Sequence, residues 1–314
     1  MYHYSTGSSH PLRVAVFGVG AIGGYFGGIL ARTGHDVNFI ARGDTAAALR
    51  QRGLRIESGT TGDFLVHPVQ VFEDPAQVGS VELVIPGVKA WQLSEVGPML
   101  NQMITEGSAV LPLQNGVGAT DDLAKALGRR HVLGGVAKIF CYQVAPGHVR
   151  HDGATPCLVI GEHDNRVSKR LKSLQEAFQE AGVNTEVPED IHIAVWSKFL
   201  MITSVSGVGT AEGVAIGKLR TERRTRQLLM KSMTEIETLA HSLGITLADD
   251  IVPSTLNFVD SLPAHAMPSM QRDFMDGRPS ELGTLLSTVR QLGETANLNL
   301  PVNRALCELL FPLE

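Results

Sequence analysis

Two patterns of hydrophobic positions divide the chain. In the first half, short apolar runs alternate with longer runs of helical period. Arg13–Phe17 (RVAVF), Asp36–Ile40 (DVNFI), Val81–Ile85 (VELVI) and Ser108–Leu111 (SAVL) read as strands. Near-continuous apolar runs of that length suit strands buried on both faces of a parallel sheet. Ala21–Arg32, Trp91–Met103 and Ala119–Leu127 read as the intervening helices. This alternation predicts a doubly wound sheet. From Val132 to Ile160, β-rich runs are punctuated by Pro146-Gly147, Asp152-Gly153 and Pro156, which predicts antiparallel strands at the far side of that sheet. A helix over Arg166–Ala181 and a strand over Val183–Val187 follow.

After Pro188 the strand pattern stops. Helical runs cover Asp190–Ser206, Thr221–Leu243, Ile251–Leu262, Ser280–Ala296 and Val302–Phe311, with Asp190 placed as an N-cap and Gly244 as a stop. The expected organisation is a disordered polar leader over residues 1–10, an α/β Rossmann-like domain over 11–189, and an all-α domain over 190–314. There is no internal repeat and no low-complexity segment.

Composition narrows the function classes. The chain has 314 residues, 43% hydrophobic and 19% charged, enough to build a core and too apolar for disorder. Its net charge of −5 gives no electrostatic reason to expect a nucleic-acid partner. Cys141, Cys157 and Cys307 are far apart and form no CxxC pair, which suits a reducing cytoplasm. The apolar stretch Val14–Leu30 is broken by glycines and Tyr25, and no uninterrupted span of membrane length is expected. The histidines show no grouping at metal-ligand spacing, so no metal is expected.

Candidate chemistry begins at Gly18-Val19-Gly20-Ala21-Ile22-Gly23. GxGxxG alone is a weak signal, but here a strand precedes it and a helix follows, the context of a dinucleotide-binding turn. Gly18 would allow the tight turn, Gly20 the approach of a pyrophosphate, and Gly23 close helix–strand packing. After the second strand comes Arg42, where an acid would favour NAD and an arginine accommodates the 2′-phosphate of NADP; Asp44 lies two residues on.

Lys198 lies in a helix that is apolar almost all round, IHIAVWSKFLMI. Periodicity alone favours a lysine whose stem packs and whose head reaches solvent. The alternative is a lysine lining a cleft, its pKa lowered by partial burial, that donates a proton to a carbonyl being reduced. Glu281, after Arg278-Pro279-Ser280, is its expected partner; an acid there also suits the helix dipole.

Taken together these residues resemble the ketopantoate reductase (2-dehydropantoate 2-reductase) family from about Leu12 to Pro312. The matching elements are GVGAIGGYFGGIL with Arg42, Val88-Lys89-Ala90-Trp91-Gln92, Gln114-Asn115-Gly116-Val117-Gly118, Trp196-Ser197-Lys198-Phe199, and Pro268-Ser269-Met270 through Asp273 to Glu281. The resemblance implies a Rossmann domain and a helical domain with the active site between them. It also implies NADPH-dependent reduction of ketopantoate to (R)-pantoate for pantothenate and coenzyme A. By position it makes Lys198 the general acid and Glu281 its support. It assigns Gly18, Val19, Gly20, Ala21, Ile22, Gly23, Arg42, Lys89, Gln92, Asn115 and Glu281 to the cofactor. To the substrate it assigns Asn115, Lys198, Ser206 and Ser269. Each residue alone has a plainer role: Asn115-Gly116 is also a turn dipeptide, and Ser269 also a helix cap.

The chain departs from the family at three positions. Ile202 and Ser206 stand four and eight residues after Lys198, and Ala266 three before Ser269, where the family usually carries asparagines. Another 2-keto acid as substrate, or a non-catalytic NADPH-binding sensor on the same scaffold, are the alternatives this leaves. The expected partners are a small 2-keto acid and, left open, a second copy in a homodimer; no nucleic acid and no membrane are expected.

Overall fold

The computed structural model describes residues 10–310, so all of the expected leader except His10 lies outside the described residues. The chain forms two compact units, one of residues up to Gln114 plus Thr120–Ile191, the other of Asn115–Ala119 plus His192 onward.

The first unit opens with β1 (Arg13–Phe17), α1 (Ala21–Arg32), β2 (Asp36–Ile40) and α2 (Gly43–Arg52). Three strands follow, β3 (Leu54–Ser58), β4 (Phe64–Val66) and β5 (Gln70–Phe72), then β6 (Leu83–Pro86), α3 (Leu93–Leu100), β7 (Ala109–Val110) and α4 (Ala119–Leu127). The unit closes with β8 (Gly134–Ala145), β9 (His148–Gly161), α5 (Lys169–Glu180) and β10 (Asn184–Glu186). One sheet runs β5-β2-β1-β6-β7, with every pair parallel. Its central strands are buried along nearly their whole length, as their apolar sequences require.

The β8–β9 hairpin corrects one expectation. Its strands pair antiparallel across a turn at Gly147, but they belong to a second sheet, β10-β9-β3-β4 with β8 against β9. The reason lies in α1. Gly23 and Gly27 on one side of this helix meet Val16 and Phe39 of the first sheet, while Gly24 and Gly28 on the other meet Leu54, Ile56 and Val149 of the second. A helix apolar all round and stripped of side chains on two faces fits between two sheets. Asp152-Gly153, expected as a turn, instead sits where the β8–β9 register slips, a bulge inside the long strand β9.

The second unit is helical, with no strand among its described residues: α6 (Ile191–Ala211), α7 (Ile216–Thr221), α8 (Arg223–Ser242), α9 (Ile251–Ser261), α10 (Ser269–Met275), α11 (Leu282–Thr295) and α12 (Pro301–Leu310). Helix α8 ends before Gly244, which takes φ +80°. Helix α6 has the length and mean hydropathy (1.4) of a membrane span, and 56% of that stretch is buried. Phe199, Leu200 and Val208 place it in one core with Met233, Leu286 and Leu306. That packing accounts for its apolar character without a membrane.

Candidate active site

In the first unit the glycine turn is built as the three-glycine pattern requires. Gly18 has φ +92°, and its amide donates to Ile40 O at 2.9 Å. A Cβ on Gly23 would stand 2.3 Å from Gly18 O, so this glycine lets α1 start directly against the turn. A Cβ on Gly20 would meet nothing nearer than Gly87 O at 3.7 Å. Gly20 is the N-cap of α1, and no side chain caps that helix. Its first-turn amides are therefore the donors that satisfy anions at helix starts. Val19 is buried; Ala21 and Ile22 are half-buried.

Arg42 is exposed at the end of β2 and is the N-cap of α2, with Asp44 in that helix's first turn. Helix α2 was not expected from the sequence, although Ala46-Ala47-Ala48-Leu49 is a helix-forming run. Lys89 and Gln92 are both exposed and share one local turn. Gln92 Oε1 accepts from Lys89 N at 3.1 Å, and the Lys89 ammonium stands 5.8 Å from the Trp91 ring centroid. Gln114, not singled out by the sequence as a site residue, donates through Nε2 to Pro86 O at 2.7 Å and Val88 O at 2.9 Å. It ties down the end of β6 and the start of the Lys89 turn.

In the second unit, Asn115 Nδ2 donates to Glu281 Oε2 at 3.4 Å. These residues are 166 positions apart, a separation no local pattern reveals. Gly116, next in the chain, has φ +106°, and a Cβ there would lie 3.1 Å from Leu285 Cδ2. Glu281 is buried (7% exposed) as the N-cap of α11 and makes no side-chain cap bond there. Its carboxylate is thus turned to other partners.

Lys198 is half-buried on α6. At 100° per residue, Trp196 and Leu200 lie about 160° round the helix from it, and both are buried in the unit's core. Trp196 and Phe199 pack edge to face at 5.4 Å. Lys198 therefore points away from those two residues, while Val205, two turns on and about 20° from its direction, is itself buried in the same core. Ile202 continues its face one turn on.

Ser269 is exposed and begins α10. The N-cap is Pro268 and no side chain caps the helix, so its hydroxyl is not spent on capping. Ser206 is fully enclosed, and its hydroxyl has no hydrogen-bond partner among the described residues. Ala266 is half-buried in the connection before α10. Among the described residues, no group of three His, Cys, Asp or Glu is arranged to hold a metal ion.

Known proteins share this architecture. The family model "Ketopantoate reductase PanE/ApbA" matches residues 14–165, and its C-terminal counterpart residues 190–314. The chain is 26% identical over 294 residues to a 2-dehydropantoate 2-reductase of a Nostoc species, covering 92% of this chain and 91% of that one. The crystal structure of 2-dehydropantoate 2-reductase from Geobacter metallireducens superposes with a TM-score of 0.89 at 30% identity, covering 96% of this chain and all of that one. A ternary structure of D-mandelate dehydrogenase with NADH and anilino(oxo)acetate shares the fold, with a TM-score of 0.86 at 21% identity over 96% of this chain and 98% of that one.

Proposed function

The chain belongs to the ketopantoate reductase family, whose members are oxidoreductases acting on CH–OH groups, and from that premise we propose that it reduces a 2-keto acid with NADPH. Ketopantoate is the leading substrate and (R)-pantoate the product, for pantothenate and coenzyme A synthesis in the cytoplasm. The observation that carries this reading is the Asn115–Glu281 hydrogen bond. It brings together two of the residues assigned by resemblance, 166 positions apart in the chain.

The residues present fit a dinucleotide. The bare approach at Gly20 and the uncapped start of α1 suit a pyrophosphate. Arg42, exposed at the N-terminus of α2, suits a 2′-phosphate. Lys89 and Gln92 lie on the turn that follows β6, the strand beside β1. When bound, the nicotinamide supplies a hydride to the carbonyl carbon. The protein must then neutralise the charge that develops on the carbonyl oxygen. Lys198, half-buried on α6, donates a proton to that oxygen. Glu281 supports the ammonium and holds Asn115 in place, and Ser269 offers an uncommitted hydroxyl to the substrate.

A different 2-keto acid is the second reading, favoured by one set of positions. Ile202 and Ala266 are apolar and Ser206 is enclosed, so the amides that would bind ketopantoate's polar groups are missing. Steady-state assays with NADPH, comparing ketopantoate with shorter and longer 2-keto acids, decide between the two. In the same assay Lys198→Ala is expected to lower kcat by about 10²–10⁴ while NADPH binding stays near wild type. A variant keeping more than about a tenth of kcat would remove Lys198 as the acid. Tight NADPH binding with no turnover of any keto acid would make the protein a sensor.

A further inference from the structure

Ser269 stands on a helix of only seven residues, α10, reached by a connection from α9 that has no secondary structure of its own. So short a helix cannot hold its place by itself. Three attachments fix it. Before it, Ile216 N donates to Ala266 O at 3.1 Å and Gly217 N to Ala264 O at 2.8 Å, so the start of α7 grips the incoming connection. After it, Ser280 Oγ donates to Met270 O at 2.8 Å and accepts from Leu282 N at 3.2 Å, which links α10 to the start of α11 beside Glu281.

The third attachment is Gln271. Its side chain is 1% exposed. Nε2 donates to Val214 O at 2.8 Å, just past the end of α6. The amide also lies on the bare backbone of Gly209: a Cβ there would stand 2.7 Å from Oε1 and 3.2 Å from Cδ. Gly209 is eleven residues after Lys198, which brings it back to within about 20° of the same face of α6, three turns along. The amide of α10 is therefore seated on the stripe of α6 that carries Lys198. A hydrophobic side chain would fill this volume but could not satisfy Val214 O. A buried amide is an uneconomical way to pack a helix unless its directionality matters.

We propose that Gln271 is a positioning residue for substrate binding, which sets where Ser269 stands relative to Lys198 through its seat on Gly209 and its bond to Val214. The proposal rests on the reading of this site as a 2-keto acid site. Ile202 and Ala266 leave few polar groups to hold an acid, so the placement of Ser269 weighs more heavily here.

The test uses the full chain and three variants. Gln271→Leu removes the bond to Val214, Gly209→Ala pushes the amide off its seat, and Glu235→Gln serves as a stability control. The Glu235 carboxylate accepts from Val302 N and Asn303 N at the start of α12 and has no part in the site. Two readouts are taken: KM and kcat for ketopantoate with NADPH, and the affinity of ketopantoate for the NADP⁺-loaded protein by tryptophan fluorescence. Gln271→Leu and Gly209→Ala are expected to raise KM and weaken acid binding about tenfold to a hundredfold, the scale of a misplaced contact. NADPH affinity should stay within about twofold, and Glu235→Gln should lose melting temperature without changing KM. Melting losses in both site variants with KM and acid affinity unchanged overturn the proposal. Wild-type protein that binds the acid without turning it over, with weaker binding in the variants, overturns the reductase reading and keeps the positioning role. Wild-type protein that neither binds nor reduces any 2-keto acid overturns both.

Discussion

At Arg42 two sources of positive potential coincide, the guanidinium and the first-turn amides of α2, for which Arg42 is the N-cap. Its place was legible because the rule that reads it is local: two residues past the end of the second strand. Arg42→Ala is expected to weaken NADPH by about 1.5–3 kcal/mol, tenfold to a hundredfold, and to leave NADH nearly unchanged. Titrations with the two cofactors measure this, and equal losses would remove the argument for NADPH. His151 shows what local reading misses. Its Nε2 faces Ala154 O at 3.1 Å, and its Nδ1 lies 2.8 Å from Ser58 Oγ. Ser58 Oγ already accepts from Thr61 N and Thr61 Oγ1, so its own proton points to the imidazole. A second imidazole proton would face that hydroxyl proton. Burial also pushes the His151 pKa below its ordinary value. The folded protein therefore binds this proton less readily than the unfolded chain. The stabilising contribution is complete above about pH 6.5 and falls as pH drops from there through the lowered folded value. Melting temperatures at pH 8, 7, 6 and 5 should decline at the acid end, less steeply in His151→Asn. Parallel declines in the two proteins would show that other groups carry the acid loss.

At the scale of elements, strands of four or five apolar residues and long amphipathic helices were legible, and Ala119–Leu127 coincides with α4. Helices α7 and α10 were not, because six or seven residues hold too little period to register. The second sheet was hidden for another reason. Strand β3 pairs with β9, Arg55 opposite His148, and nothing in either segment specifies a partner so far along the chain. The signal was in α1, where Gly23 was read for close packing on one strand, while Gly24, Gly27 and Gly28 also make room and do so on two sides. Gly27→Ala tests this. A Cβ there would lie 2.7 Å from Phe39 Cε1 and 2.7 Å from Val16 Cγ2. Overpacking of that kind costs about 1–3 kcal/mol, against a gain of at most about 1 kcal/mol from the better helix former. A net loss of stability in urea denaturation is expected. Gly28→Ala, whose nearest neighbours are the side-chain carbons of Ile56 and Leu54 at 3.2 Å, should lose less. If Gly27→Ala stabilises the protein, the close seating of α1 on the first sheet is wrong.

At the scale of the whole molecule, the change from alternating strands to continuous helices after Pro188 was visible in the sequence, and the chain passes from one unit to the other at Ile191–His192. The sequence did not show that it also does so twice earlier, at Gln114–Asn115 and Ala119–Thr120. Five residues from the α/β half thus belong to the helical unit. Asn115-Gly116 looks like any turn dipeptide, and its partners, Glu281 and Leu285, lie far downstream. This excursion makes a substitution in the first half act on the second. In Gly116→Ala, the backbone at φ +106° becomes strained and the new Cβ presses on Leu285, whose Cδ2 would be 3.1 Å away. Strain at such a position costs about 1–3 kcal/mol. Because Leu285 lies in the first turn of α11 and Glu281 caps that helix, the loosening should appear there. Amide hydrogen exchange reads this directly, since local opening is reported residue by residue. Protection is expected to fall over the first turns of α11, while β1, β2 and β6 exchange as in the wild type. Faster exchange in β6 and β7 with α11 unchanged would place residues 115–119 energetically in the α/β unit and overturn the division.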